Sequence, residues 1–389
     1  MLIFFFFLFP FFTIIFYTLN LWRGWNHKVN RIWYLAIMLA VYLGLLNSTK
    51  ELSGDFLAYS EYFYDVPKYD IISYLMNFGK EPLFYAYTWI GYYLFLGSWK
   101  LFVVSFTAIN YLLISYCLIK ITVHLKVSWR NVIVALFFMA FFFQEFAAVG
   151  NLIRQALSES ITMVFLTRLY LEKRRSLWLA ICALCVHTSC LPVIGIGLIP
   201  SVQEKIALKT LVKMLIPLLV LVILFYVLGD YMINIPFLGY IFTRVNDSEK
   251  LLGADSWQEV VGLQSAMYAL ILMLAAMATY LYIKIYKQKQ CFIEIGLVNF
   301  NIIFIVLMLI FNSIGAYYLL MRYFFYIYVF QSLLFLIFIH RSRLFILNLM
   351  RIPLMLLLIV YFFYNYTHNI FIYSTIMEAI FLPVPIFLV

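Results

Sequence analysis

The chain has 389 residues, of which 66% are hydrophobic, 20% aromatic and only 11% charged. Soluble domains carry about 25% charged residues, so a soluble globular fold is excluded. The net charge of +10 sits in short basic clusters between apolar runs, a pattern that reports topology rather than a nucleic-acid partner.

Apolar runs long enough to cross a bilayer as helices recur along the chain, and the alternation typical of barrel strands is absent. Backbone groups in lipid must be satisfied within the segment, which predicts an all-α polytopic membrane protein. Residues 1–20 lack a basic n-region and a small-residue cleavage site, and read as a retained first span. Spans are expected at 2–20, 32–48, 101–120, 132–149, 155–171, 211–228, 262–283, 291–311, 323–339 and 353–372, with 373–389 a further candidate. The expected total is about 10–14 transmembrane helices in a single domain.

Six basic clusters set the sidedness under the positive-inside rule. They are Arg23–Lys28–Arg31, Lys120–Lys126–Arg130, Arg168–Lys173–Arg174–Arg175, Lys205–Lys209–Lys213, Lys284–Lys287–Lys289 and Arg341–Arg343–Arg351. With all six in the cytoplasm, segments 82–97 and 177–200 have the wrong parity for simple crossings. Either both are re-entrant or interfacial, or both cross and the middle of the chain inverts, carrying the second and third clusters outside. Charge bias favours the first arrangement, and broken helices at membrane depth are tolerated where they line a cavity.

Two sizeable loops then fall outside, at about 48–81 and 229–260. The first carries Glu51, Asp55, Glu61, Asp65, Asp70 and Glu81 with Tyr59, Tyr62, Tyr64, Tyr69 and Tyr74. Carboxylates accept hydroxyl hydrogen bonds and aromatic faces cover sugar rings, so such a surface suits a polyhydroxyl ligand. An interfacial aromatic belt accounts for part of the same composition.

A polar knot, Gly150-Asn151-Leu152-Ile153-Arg154-Gln155, interrupts the apolar runs 132–149 and 161–171. On one helix through it, Asn151, Arg154, Gln155 and Ser158 would share a face. A guanidinium flanked by amides and a hydroxyl is an anion clamp, suited to phosphate or diphosphate. The competing reading is an internal ion pair of Arg154 with Glu145 or Glu159. Arg322, at the outer end of a late span, is either a second phosphate ligand or a snorkelling headgroup contact. His187-Thr188-Ser189 interrupts 177–200, and His187 is either a proton acceptor or a hydrogen-bonded core residue. Pro82 suits a first helical turn, so Glu81-Pro82 opens segment 82–97, and a carboxylate there could act as a general base. The five cysteines, including the Cys182-x-x-Cys185 pair, read as small buried side chains. No Walker A loop, dinucleotide fingerprint or zinc-protease motif occurs.

In order and spacing, five features resemble the EpsG family, relatives of the Wzy-type polysaccharide polymerases. They are Asp55-x-x-x-Tyr59, Glu81-Pro82-x-Phe84, Asn151-x-x-Arg154-Gln155 ahead of Glu172-Lys173-Arg174-Arg175, His187-Thr188-Ser189, and Arg322. The resemblance covers roughly residues 45–200 by motif and the remainder by hydropathy. It departs at Leu83, where the family often has Gly, and just after Arg154-Gln155, where Ala156 is followed by Leu157 and Ser158. The resemblance implies a metal-independent glycosyltransferase of the bacterial inner membrane, without cofactor, acting on undecaprenyl-diphosphate-linked glycans for O-antigen, capsule or exopolysaccharide. Arg154 and Arg322, with Asn151 and Gln155, would hold the diphosphate. Asp55, Glu81 or His187 would take the hydroxyl proton, and Tyr59 would meet sugar. A chain-length regulator and a flippase of the same pathway are the implied protein partners. The rivals are a lipid-linked oligosaccharide flippase, a related glycan ligase, and an acyltransferase using His187.

Overall fold

The computed structural model describes residues 2–24, 29–78, 81–205, 216, 220, 271–284, 294–313, 317–342, 348–368 and 373–388. Apart from residues 216 and 220, the span expected at 211–228 lies outside the described residues, as do the first part of that at 262–283, the second outer loop 229–260 and Cys291. So does the side chain of Arg322. Every regular element among the described residues is helical. Val29–Ser48, Trp99–Leu125 and Tyr323–Ser342 are long and apolar enough to cross a membrane, and a bent pair, Trp129–Ala140 with Phe143–Asn151, could make another crossing.

The helices of the N-terminal half are α1 (Leu2–Leu8), α2 (Pro10–Arg23), α3 (Val29–Ser48), α4 (Gly54–Tyr64), α5 (Ile71–Phe78) and α6 (Pro82–Leu94). They continue with α7 (Trp99–Leu125), α8 (Trp129–Ala140), α9 (Phe143–Asn151), α10 (Ile153–Leu171), α11 (Leu177–Val186) and α12 (Cys190–Leu198). Contacts group the chain into two compact units, 1–195 with 335–389, and 196–334. In the smaller unit, Asn299 Nδ2 donates to the carbonyls of Val202 (3.0 Å) and Glu204 (2.8 Å), closing the turn that follows Ile199.

The larger unit is built on α3 against α7. Both are apolar on all sides, as buried helices are. Their backbones meet at Gly44, where a Cβ would lie 2.6 Å from the Val104 carbonyl oxygen. Only a residue without a side chain allows that approach. Ser98 opens α7 by accepting from the Leu101 amide (3.4 Å), and Lys126 closes it in the left-handed conformation at φ 52°. The C-terminal helix Arg351–Thr367 packs an aromatic face on α9, with Phe362 5.1 Å from Phe146 between ring centroids. Tyr42 of α3 donates to the Ala379 carbonyl at 3.0 Å, tying the last segment to the same core.

Several predicted spans are corrected. The first divides at Pro10, which cannot supply the amide a continuous helix needs, and α1 buries none of its residues. The run 132–149 bends by 50° between α8 and α9. The polar knot is not one helix, because Leu152 (φ −105°, ψ 52°) ends α9 and α10 starts at Ile153. Asn151 and Arg154 therefore belong to different helices. The acidic segment 48–81 is largely helical rather than open loop, with α4 and α5 joined by a short 3-10 turn at Val66–Lys68.

Segment 82–97 holds a short helix, α6, as the re-entrant or interfacial alternative expects. Thirteen residues span roughly 20 Å, short of the ~30 Å hydrocarbon core. α6 runs antiparallel to the start of α7, since Tyr87 Oη lies 3.2 Å from Ser105 Oγ and Gly91 abuts the Phe102 ring. It is likewise antiparallel to α5, with Phe78 stacked on Tyr85 (5.6 Å) near the tip and Trp89 Nε1 donating to the Tyr69 carbonyl (3.5 Å) just ahead of α5. Together α5 and α6 form a helical hairpin with Glu81 at its tip. Segment 177–200 is also interrupted, because α11 ends at His187, whose backbone is extended (φ −162°, ψ 130°).

Four basic clusters gather toward one end of the larger unit. Arg130 lies over Trp22, beside Arg23, with 5.6 Å to the ring centroid. It is also close enough to Arg351 for their charges to repel. Lys120 Nζ and Arg168 Nε both meet Glu172, at 2.9 and 3.3 Å. An arrangement that sends the second and third clusters to the opposite side from the first does not fit this grouping.

Candidate functional site

Glu81 is the residue before the first turn of α6, with Pro82 at the position where a missing amide costs nothing. Its side chain does not cap that helix; it turns instead toward α10 and α11. One carboxylate oxygen, Oε2, lies 2.5 Å from Arg154 Nη1, and the other, Oε1, lies 2.6 Å from His187 Nδ1. Glu81 is 5% exposed, so these contacts replace water almost completely. Burial alone would raise its pKa, but His187 and Arg154 hold the carboxyl below the ordinary carboxylate value.

Arg154 is the second residue of α10, where the helix dipole disfavours a cation. The structure compensates with Glu81 and with Tyr59. Arg154 Nε donates to the Tyr59 hydroxyl at 3.1 Å, and the guanidinium carbon lies 5.3 Å from that ring's centroid. Tyr59 is buried, its ring meeting Tyr62 and Phe84 edge-on. The tyrosine expected at sugar therefore holds the arginine in this state. Burial, partly opposed by Arg154, raises the pKa of its phenol, so it keeps its proton.

Ser158, one turn further along α10, fixes the third partner. Its hydroxyl lies 3.0 Å from the Ala183 carbonyl and 3.2 Å from that of His187, so it fastens the broken end of α11 to α10. A carboxylate 2.6 Å from Nδ1 favours a proton on that nitrogen. The alternative pairing of Arg154 with Glu145 or Glu159 is not what occurs. Glu159 instead accepts from Gln155 Nε2 at 2.8 Å, so Gln155 turns to a buried carboxyl rather than standing beside Arg154.

Asn151 donates to the Ala147 carbonyl (2.7 Å) and accepts from Lys50 Nζ. Sequence reasoning did not single out Lys50. It is 4% exposed, with its ammonium 4.6 Å from the Phe56 ring centroid. Burial lowers its pKa to about 8, with Asp55 pulling the other way. Asp55 itself is exposed in the first turn of α4, acting electrostatically on both Lys50 and Tyr59. The signal that could have singled out Lys50 is its position, a cation two residues after the end of an apolar span. Arg322 lies in helix Tyr317–Ser342, most of which belongs to the other unit.

Tyr59, Glu81, Arg154 and His187 thus form one continuous cluster, with Lys50 and Asn151 as a neighbouring pair. No group of His, Cys, Asp and Glu suited to holding a metal occurs among the described residues. Fold and cluster together define a helical membrane protein with an arginine ion-paired to the carboxylate at the tip of a helical hairpin. The chain belongs to the EpsG family, whose model matches residues 31–381. This is a family of Wzy-type polysaccharide polymerase-like proteins, and the match reaches well beyond the motif-bearing region 45–200. No curated protein and no solved structure matches the chain.

Proposed function

We propose that the protein polymerises undecaprenyl-diphosphate-linked oligosaccharide repeat units at the outer face of the bacterial cytoplasmic membrane. The observation that carries this reading is the Arg154–Glu81–His187 chain, which puts a phosphate-binding cation and a proton acceptor on one carboxylate. A sugar hydroxyl of the incoming unit attacks the anomeric carbon of the growing chain. The bond from that carbon to the diphosphate oxygen breaks, and undecaprenyl diphosphate leaves with the electron pair. His187 takes the hydroxyl proton at Nε2, with Glu81 orienting the ring and stabilising the imidazolium. Arg154, with Lys50 and Asn151 beside it, offsets the charge that develops on the leaving diphosphate. The reaction needs no nucleotide, and these cations supply the electrostatics without a metal.

Purified protein in detergent with a lipid-diphosphate-linked repeat unit is the direct test. A ladder of products that persists with chelator, and is lost in Arg154→Ala and His187→Gln proteins of native elution volume, supports the polymerase. An Arg322→Ala protein asks whether the second guanidinium of the resemblance takes part. Transfer of the intact lipid across vesicles with no ladder would make the protein a flippase instead.

A further inference from the structure

Well away from the Glu81 cluster, α8 and helix Arg351–Thr367 start side by side at the end that gathers the basic clusters. Neither has a side-chain cap on its first amides. Uncapped helix starts expose amide hydrogens and the positive end of the dipole. Arg130 and Arg351 stand at these two starts, close enough to repel, and no carboxylate pairs with either among the described residues. Two guanidiniums and two uncapped helix starts make a strongly positive spot. Between the helices lies a cleft with an apolar floor of Val134, Phe335, Ile339 and Leu354, and Arg351 and Asn131 on its wall. Asn131 is 5% exposed, and its Oδ1 is buried without a hydrogen-bond partner. An orphaned acceptor beside two cations asks for a ligand with an anionic centre and a hydrogen-bond donor next to it. Trp22 and Trp129, meeting edge-on at 6.0 Å under Arg130, are the residues expected at a membrane–water boundary.

We propose that this cleft binds the headgroup of an anionic glycerophospholipid, with the phosphodiester between Arg130 and Arg351 and a headgroup hydroxyl donating to Asn131 Oδ1. Its acyl chains lie along the apolar faces of the two helices. Phosphatidylglycerol has both features, whereas phosphatidylcholine has the phosphate but neither the net charge nor the hydroxyl.

The test is native mass spectrometry of the full chain in detergent, titrated separately with phosphatidylglycerol, phosphatidic acid, phosphatidylcholine and inorganic phosphate. The expected result is one saturable phosphatidylglycerol per chain. Arg351→Gln and Arg130→Gln should each weaken it about fivefold, the equivalent of ~1 kcal/mol per basic residue at a membrane surface. Arg351→Lys, which keeps the charge and the fold, should retain most of the binding. Asn131→Leu should weaken phosphatidylglycerol but leave phosphatidic acid unchanged, since that lipid lacks the headgroup hydroxyl. Equal binding of phosphatidylcholine, indifference to both glutamine variants, or displacement by equimolar inorganic phosphate would each overturn the proposal. The last would mark a site for small anions rather than for lipid.

Discussion

At the scale of single residues, Glu81 decides how the candidate site behaves, because it touches both Arg154 and His187. Removing one partner of a buried ion pair leaves the other charge uncompensated, which costs about 3–5 kcal/mol. Arg154 keeps some contact with water, so Glu81→Gln is expected at the lower end of that range. The double variant Glu81→Gln/Arg154→Gln should cost less than the sum of the single changes, by on the order of 1–3 kcal/mol. Equilibrium unfolding in mixed micelles reads this coupling. Lys50 gives a pH signature. Its folded pKa of about 8 lies below the ordinary lysine value, so between those values the unfolded chain holds a proton that the folded chain has lost. Stability therefore rises with pH across that window, and Lys50→Met should abolish the rise. Binding of a diphosphate lipid should move the other way, weakening above about pH 8 as the ammonium discharges. Lys50→Arg should bind with no such loss up to pH 9, and a lipid-binding titration at several pH values reads the difference.

At the scale of elements, the packing of α3 on α7 sets the frame for the end that carries the Glu81 cluster. Gly44→Ala drives a Cβ into the Val104 backbone, which no rotamer change relieves, and should cost about 1–3 kcal/mol in the same unfolding measurement. Gly150 makes a similar approach to Asn47, whose amide is already engaged with Thr107 at 3.3 Å. The elements also mark how far sequence reasoning reaches. Helical class and the two irregular segments were legible, because apolar length, basic clusters and parity report them directly. The division at Pro10 was legible in principle and passed over. The breaks at Phe141–Phe142 and Leu152 were not, since no proline lies there and Phe and Leu are ordinary helix residues. Packing of α9 against its neighbours overrides local preference at both. The helices α4 and α5 were missed because a polar, tyrosine-rich composition reads as surface, whereas Phe63 and Tyr74 are fully buried. Meeting of Glu81, Arg154 and His187 depends on a hairpin tip, a helix start and a helix break. No periodicity connects them, and family resemblance was the only sequence-level route.

At the scale of the whole molecule, sidedness follows from which charges share an end. Lys126 and Lys173 should label together, and Asp65 on the hairpin side should label from the opposite compartment. Single-cysteine substitutions of Lys126, Lys173 and Asp65, probed with a membrane-impermeant maleimide on intact cells and on inverted vesicles, read this. The expected outcome is Asp65→Cys reactive on intact cells and the two lysine replacements reactive only on inverted vesicles. Reactivity of Lys126→Cys on intact cells would restore the inverted arrangement of the middle of the chain.

The carboxylate at the hairpin tip has one more consequence, which concerns selection. Arg154 is already neutralised before any lipid arrives, so an incoming anion competes with a resident one. A singly charged lipid phosphate exchanges one negative charge for another and gains little. A diphosphate brings a surplus, enough to take the guanidinium and leave Glu81 to His187 alone. In the polymerase reading, the site thus carries its own counterfeit of the substrate. On that reading, ordinary phospholipids would be turned away by a rival anion rather than by shape.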